Sequence, residues 1–157
     1  MIYLPTIIQQ VVDKINATLD DTSKVHYEFG RLLTITNQLT LREKNNLPAF
    51  PLIALLMENK IIGNNVKCSI IFALKTTPDT LNSDRFSDTG SYGTLYELIQ
   101  LFNTFLGNSP DIDQSFFDIN QIDRPFATGT ADIFNACTDL VVCEYDLTLI
   151  SNKVCSF

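Results

Sequence analysis

Leu140-Val141-Val142-Cys143-Glu144-Tyr145-Asp146-Leu147-Thr148-Leu149 carries the period of a β-strand along its whole length. Val141, Cys143, Tyr145, Leu147 and Leu149 fall on one face, and Val142, Glu144, Asp146, Thr148 and Ile150 fall on the other. The polar alternation of Glu144, Asp146 and Thr148 predicts that this second face is exposed or meets a partner. This run is the structural spine of the chain. Ahead of it stands Ile122-Asp123-Arg124-Pro125-Phe126, a charged, proline-fixed loop that reads as the working surface.

Two further strands join the spine. Phe50-Pro51-Leu52-Ile53-Ala54-Leu55-Leu56 is short and continuously apolar, the pattern of a strand buried on both faces, with Pro51 at its start where the ladder has not begun. The connection from Glu58 to Asn65 holds Gly63-Asn64, a turn signal leading into a strand from Val66 to Lys75. That strand places Cys68, Ile70, Phe72 and Leu74 on one face, and the pair is expected to lie antiparallel in the middle of a sheet. Val25 to Phe29 also alternates, with His26 on the polar side as a solvated or edge histidine.

Two stretches carry helical periodicity. Over residues 5–20, Ile7, Ile8, Val11, Val12, Ile15 and Leu19 form one apolar stripe, and Pro5 suits a first turn. Its polar face has no basic stripe, so it is expected to pack on a sheet instead of lying on a membrane. Thr94-Leu95-Tyr96-Glu97 matches a capping box ahead of the stripe Leu95, Leu98, Ile99, Phe102, Phe105 and Leu106, and Gly107-Asn108 supplies the stop. Residues 31–46 stay open between helix (Leu32, Ile35, Leu39) and strand (Leu33, Ile35, Leu39, Leu41). The resulting expectation is one α+β domain over 1–157, with an antiparallel sheet of about four strands, two helices on one face, and a short tail at 151–157. Residues 108–132 are expected to form a long ordered loop or arm before the last strand, because Phe116, Phe117 and Phe126 are too apolar for a solvated linker. A plain Ω-loop folded on its own domain is the other reading of that segment.

Composition narrows the function. Apolar residues make up 45% of the chain and charged ones 18%, which excludes a disordered chain. The net charge of −7, with eleven scattered basic residues, argues against a dedicated nucleic-acid binder. Met1 to Pro5 has no basic n-region, and the longest apolar run, Phe50 to Met57, is too short to span a bilayer, so cytosolic synthesis without a membrane partner is expected. Cys68, Cys137, Cys143 and Cys155 are then reduced thiols; with no Cys-x-x-Cys pair and His26 as the single histidine, a zinc site is not expected. No Gly-rich phosphate loop, no Gly-x-Ser-x-Gly and no Cys–His pairing is present, so neither an enzyme nor a bound cofactor is expected. Asp123 beside Arg124 reads as a loop-fixing ion pair.

Three segments in order carry a family resemblance: Phe50-Pro51-Leu52-Ile53-Ala54-Leu55, Ile122-Asp123-Arg124-Pro125-Phe126, and Ile133-Phe134-Asn135 leading into Leu140 to Leu149. Spanning about residues 5–150, the chain resembles small virion proteins of tailed phages that infect Bacteroides-like hosts, the crAss-like phages included. It departs from them at Phe50, where the family has Tyr, and at Ala127-Thr128-Gly129, where it has Trp followed by Gly. The resemblance implies a tail-terminator or tail-completion fold and a head–tail connector role in the virion neck, assembled in the host cytoplasm. It implies a homo-oligomeric ring of roughly six or twelve copies between portal and tail proteins, with DNA passing through without sequence-specific binding. It carries no catalytic residues. Phe116, Phe117, Asp123, Arg124, Pro125 and Phe126 are the expected subunit-interface residues. The competing expectations are a cytosolic phage-encoded protein that binds a host partner through the same loop, and a small ligand-binding α+β domain with a pocket near His26 or Asp123.

Overall fold

The computed structural model describes residues 3–56, 60–62, 64–76, 81–122 and 138–150. Within them, helix α1 (Leu4–Ala17) is followed by β1 (His26–Gly30), α2 (Leu32–Lys44), β2 (Leu52–Leu56), β3 (Lys60–Ile62) and β4 (Asn65–Lys75). Then come α3 (Asn82–Arg85), α4 (Ser91–Gly107), β5 (Ile112–Ile122) and β6 (Thr138–Leu149). The strands form one sheet in the order β1-β2-β4-β6-β5, with short β3 also paired to β4. The α+β class is as expected.

The spine of the sheet is the antiparallel ladder between β4 and β6, running from Asn65↔Thr148 to Lys75↔Thr138. Its register puts Cys68, Ile70 and Phe72 beside Tyr145, Cys143 and Val141 on one face. Ile53 and Leu55 of β2 join that face, and the stripes of α1 and α4 cover it in one large core. Ile7, Ile8, Val11, Val12 and Ile15 are all buried there, each worth about 1.5–3 kcal/mol relative to exposure. Asn16 fastens α1 to the chain ahead of β1, donating from Nδ2 to the Val25 carbonyl at 2.9 Å and accepting the Val25 N–H at 2.7 Å.

Four expectations need correction. The sheet is mixed: β1 pairs parallel to β2, with His26 opposite Leu52. The open segment 31–46 is a helix, and α2 lies on the face away from α1 and α4, so the helices flank both faces. Ile35 and Leu39 bury against Leu52, Ala54, Ile71, Ala73, Leu140 and Val142, whereas Leu33 and Leu41, which a strand would have buried, are 60% and 52% exposed. The β-branched threonines fit the helix because their hydroxyls bond back one turn, Thr36 to the Leu32 carbonyl at 2.8 Å and Thr40 to the Thr36 carbonyl at 2.9 Å.

The supposed long loop contains the eleven-residue strand β5, antiparallel to β6 and at the sheet edge. Its alternation is hidden because the register slips twice, between Ile112 and Gln114 and between Ile119 and Gln121, so the period of two breaks at each end. Finally, α4 begins at Ser91, not at Thr94. The Thr94 hydroxyl donates to the Gly90 carbonyl at 3.0 Å in place of capping the helix. The extra turn packs so closely on the preceding segment that a Cβ on Gly90 would lie 1.9 Å from the Asp84 carbonyl oxygen, and one on Gly93 would lie 2.2 Å from that of Asp88.

Candidate interaction surface

The interface residues expected from sequence divide into two groups. Phe116 and Phe117 lie on β5, in a strand and not in a loop; Asp123, Arg124, Pro125 and Phe126, with the expected Asp123–Arg124 pair, lie outside the described residues. As neighbours in an extended strand, the two phenylalanines project to opposite faces of the sheet. Phe117 stands across from Tyr145 and stacks on it, with ring centroids 5.8 Å apart, yet remains 49% exposed. Phe116 stands across from Asp146 on the α2 side and is 66% exposed. Both rings leave apolar surface in water on a strand at the edge of the sheet.

Among the described residues, no helix covers the sheet around Phe116. The ladder places Lys67, Asp146 and Phe116 in one row across β4, β6 and β5, and Ser69, Glu144 and Asp118 in the next. Together they line an open concavity of about 410 Å³. Asn65 Nδ2 donates to Asp146 Oδ1 at 2.7 Å, and Lys67 Nζ lies 3.9 Å from Asp146 Oδ2. The floor is therefore acidic, with three carboxylates against one ammonium, centred on an aromatic ring. On the face expected to be exposed, Glu144 is exposed, Asp146 and Thr148 are half-buried, and the polar stretch ends at Val142, which α2 buries.

Burial shifts several titratable side chains among the described residues. Burial pushes the Cys68 thiol up to about 12, and burial with the nearby Asp118 charge does the same for Cys143, so neither supplies thiolate at neutral pH. Burial likewise raises the Tyr145 phenol, which donates to Asn103 Oδ1 at 2.5 Å. His26 is held below its ordinary 6.5, chiefly by burial and then by the Arg42 charge, against the opposing pull of Glu28. Its Nε2 sits 3.4 Å from Glu28 Oε1 without hydrogen-bond alignment. Among the described residues, no group of His, Cys, Asp and Glu is placed to hold a metal, and no helix is long and apolar enough to cross a membrane.

One cluster was missed from sequence. Asp139, fully buried, receives Arg85 Nε at 3.0 and 3.2 Å together with an Arg85 Nη2 contact. The Arg85 guanidinium lies 5.8 and 5.7 Å from the rings of Phe86 and Tyr92, which stack on each other with centroids 4.4 Å apart. The pair pins α3 and the start of α4 to the start of β6. Its signal was Asp139 itself: odd-numbered positions of β6 are the core series, and a carboxylate there requires a buried counter-ion.

No protein-family model and no curated protein matches the sequence. Among solved structures, the crystal structure of full-length ShkA in complex with AMPPNP overlaps 94% of this chain with a TM-score of 0.33 and 9% identity. The chain spans about 31% of the length of that protein, and a likeness this slight carries no argument about fold or activity.

Proposed function

We propose that this chain is a structural virion protein that forms a ring in the neck of a tailed phage, joining the portal side to the tail around the DNA channel. The observation that carries the reading is β5: an eleven-residue strand at the sheet edge with exposed phenylalanines on both faces. A long, aromatic edge is a template for pairing with another chain, and proteins that stay single keep such edges short or blunted. A ring requires one surface of a subunit to meet a different surface of the next, and the outer side of β5 serves as one of the two. The resemblance at Phe50–Leu55, Ile122–Phe126 and Ile133–Asn135 supplies the virion context. The net charge of −7 suits a channel through which DNA slides without being held.

Native mass spectrometry and negative-stain micrographs of the full chain, alone and mixed with portal and tail proteins of the same phage, test this reading. Closed rings are expected, and Phe117→Asp is expected to abolish them. A chain that never assembles beyond a dimer and binds no virion protein would overturn it.

A further inference from the structure

Helix α4 carries more apolar surface than the core takes up. Tyr92, Leu95, Ile99, Phe102 and Leu106 are buried, while Leu98 and Leu101 form a second line that is only partly buried. Leu19, just past the end of α1, and Leu74, near the end of β4, are likewise partly buried. With Val25 and Pro51, these four leucines line a hollow of about 380 Å³ at the end of the sheet where β1 and β2 begin. It shares no residue with the Phe116 concavity.

Most of that lining gives water little to hold. An enclosed water is kept by about two to four polar partners, and these six residues offer only apolar side chains. Displacing such water with an apolar group is favourable, so the hollow selects hydrocarbon. At about 30 Å³ per water, its volume corresponds to roughly a dozen non-hydrogen atoms. The polar part of the lining is Thr22, Ser23, Thr94 and Glu97. The Thr94 hydroxyl already donates to the Gly90 carbonyl at 3.0 Å, so it presents only a lone pair. Glu97, which a capping box would have tied to the helix start, is exposed and has no hydrogen-bonded or charged partner among the described residues. The ammonium of Lys24, next in sequence to Ser23, is turned to the Asn16 and Leu19 carbonyls at 2.7 and 3.3 Å, and no cation lines the hollow. The lining is therefore rich in acceptors and negative in charge. Its complement is a donor that carries a positive charge.

We propose that this hollow is a binding site for a small apolar molecule bearing a cationic amine, with its hydrocarbon among Leu19, Leu74, Leu98 and Leu101 and its ammonium at Glu97. The site is separate from the outer edge of β5, so it goes beyond the ring reading and stands or fails independently of it.

Methyl-detected NMR of the full chain, titrated with 4-phenylbutylamine, tests the proposal. The methyls of Leu74, Leu98 and Leu101 are expected to shift together and to saturate with a Kd of about 1 mM or tighter. 4-Phenylbutanol, of the same size without the charge, is expected to shift the same methyls and to bind roughly three- to fivefold more weakly, the worth of one contact to an exposed carboxylate. Glu97→Gln is a surface change that leaves the fold intact, and it is expected to remove this preference by weakening the amine alone. Leu98→Trp fills the hollow and is expected to abolish binding of both compounds at unchanged circular dichroism. An amine Kd above about 10 mM, shifts that gather elsewhere, equal binding of amine and alcohol, or a preference that survives in Glu97→Gln would overturn the proposal. So would undiminished binding by a folded Leu98→Trp protein. Methyls of the hollow that shift on assembly of the chain and not with the amine would give the site to a neighbouring copy and overturn the small-molecule assignment.

Discussion

Replacing Arg85 by Met removes the partner of a carboxylate that is fully buried while keeping most of the stem volume. The cost follows from what remains. Asp139 is left fully buried without its counter-ion, and breaking a buried pair from one side costs about 3–5 kcal/mol. Loss of the guanidinium over Phe86 and Tyr92 adds about 0.5–1 kcal/mol for each ring. At roughly 2–4 °C per kcal/mol for a chain of this length, the ion-pair loss alone lowers Tm by roughly 6–20 °C. Urea unfolding followed by far-ultraviolet circular dichroism measures this directly, with an unchanged m-value as the check that the denatured state is the same. The double variant Arg85→Met/Asp139→Leu removes the stranded charge as well, and it is expected to regain a large part of the loss. An Arg85→Met protein within about 1 kcal/mol of the parent, or a double variant no more stable than the single one, would refute the assignment of this pair as the clamp between α3 and β6.

Three other outcomes follow from the packing. On α2, Leu39→Ala is expected to cost about 2–5 kcal/mol, whereas Leu33→Ser and Leu41→Ser change unfolding of the monomer by less than about 0.5 kcal/mol; equal losses at all three would contradict the helix. The folded-state pKa of His26 is lowered beneath 6.5, so the folded protein binds fewer protons there than the unfolded chain. The stability this group contributes is present above pH 6.5 and is lost as pH falls through the folded value, so His26→Gln should flatten the decline in urea midpoint on acidification, and an unchanged pH profile would count against it. Cys68 and Cys143, with thiols raised to about 12, should react with a thiol reagent at neutral pH only through unfolding, and labelling of the native protein within about tenfold of a free thiol would contradict their burial.

How legible each element is in the sequence varies with how far it depends on others. α1 and the ladder of β4 and β6 were legible because each buries a full face, so burial writes its period into the residues: Ile7, Ile8, Val11 and Val12 on one, Val141, Cys143 and Tyr145 on the other. α2 buries only a narrow line, Ile35 and Leu39, and its exposed Leu33 and Leu41 match a strand as well as a helix. β5 escaped because it is an edge with two register slips, where neither face must be apolar. Of the six expected interface residues, Phe116 and Phe117 fall together on that edge. The acidic floor around Phe116 draws on three strands that only the sheet aligns.

Local residue pattern by itself therefore determined the α+β class, the central antiparallel strands and the two helices that share a face, since each follows from periodicity within one segment. Tertiary structure alone decided that β1 runs parallel, that α2 crosses to the other face, and that Arg85 meets Asp139 across 54 positions of chain. Those choices depend on which buried surface closes against which. Loop closure costs little more for a distant pairing than for a near one, so no local pattern is obliged to announce it.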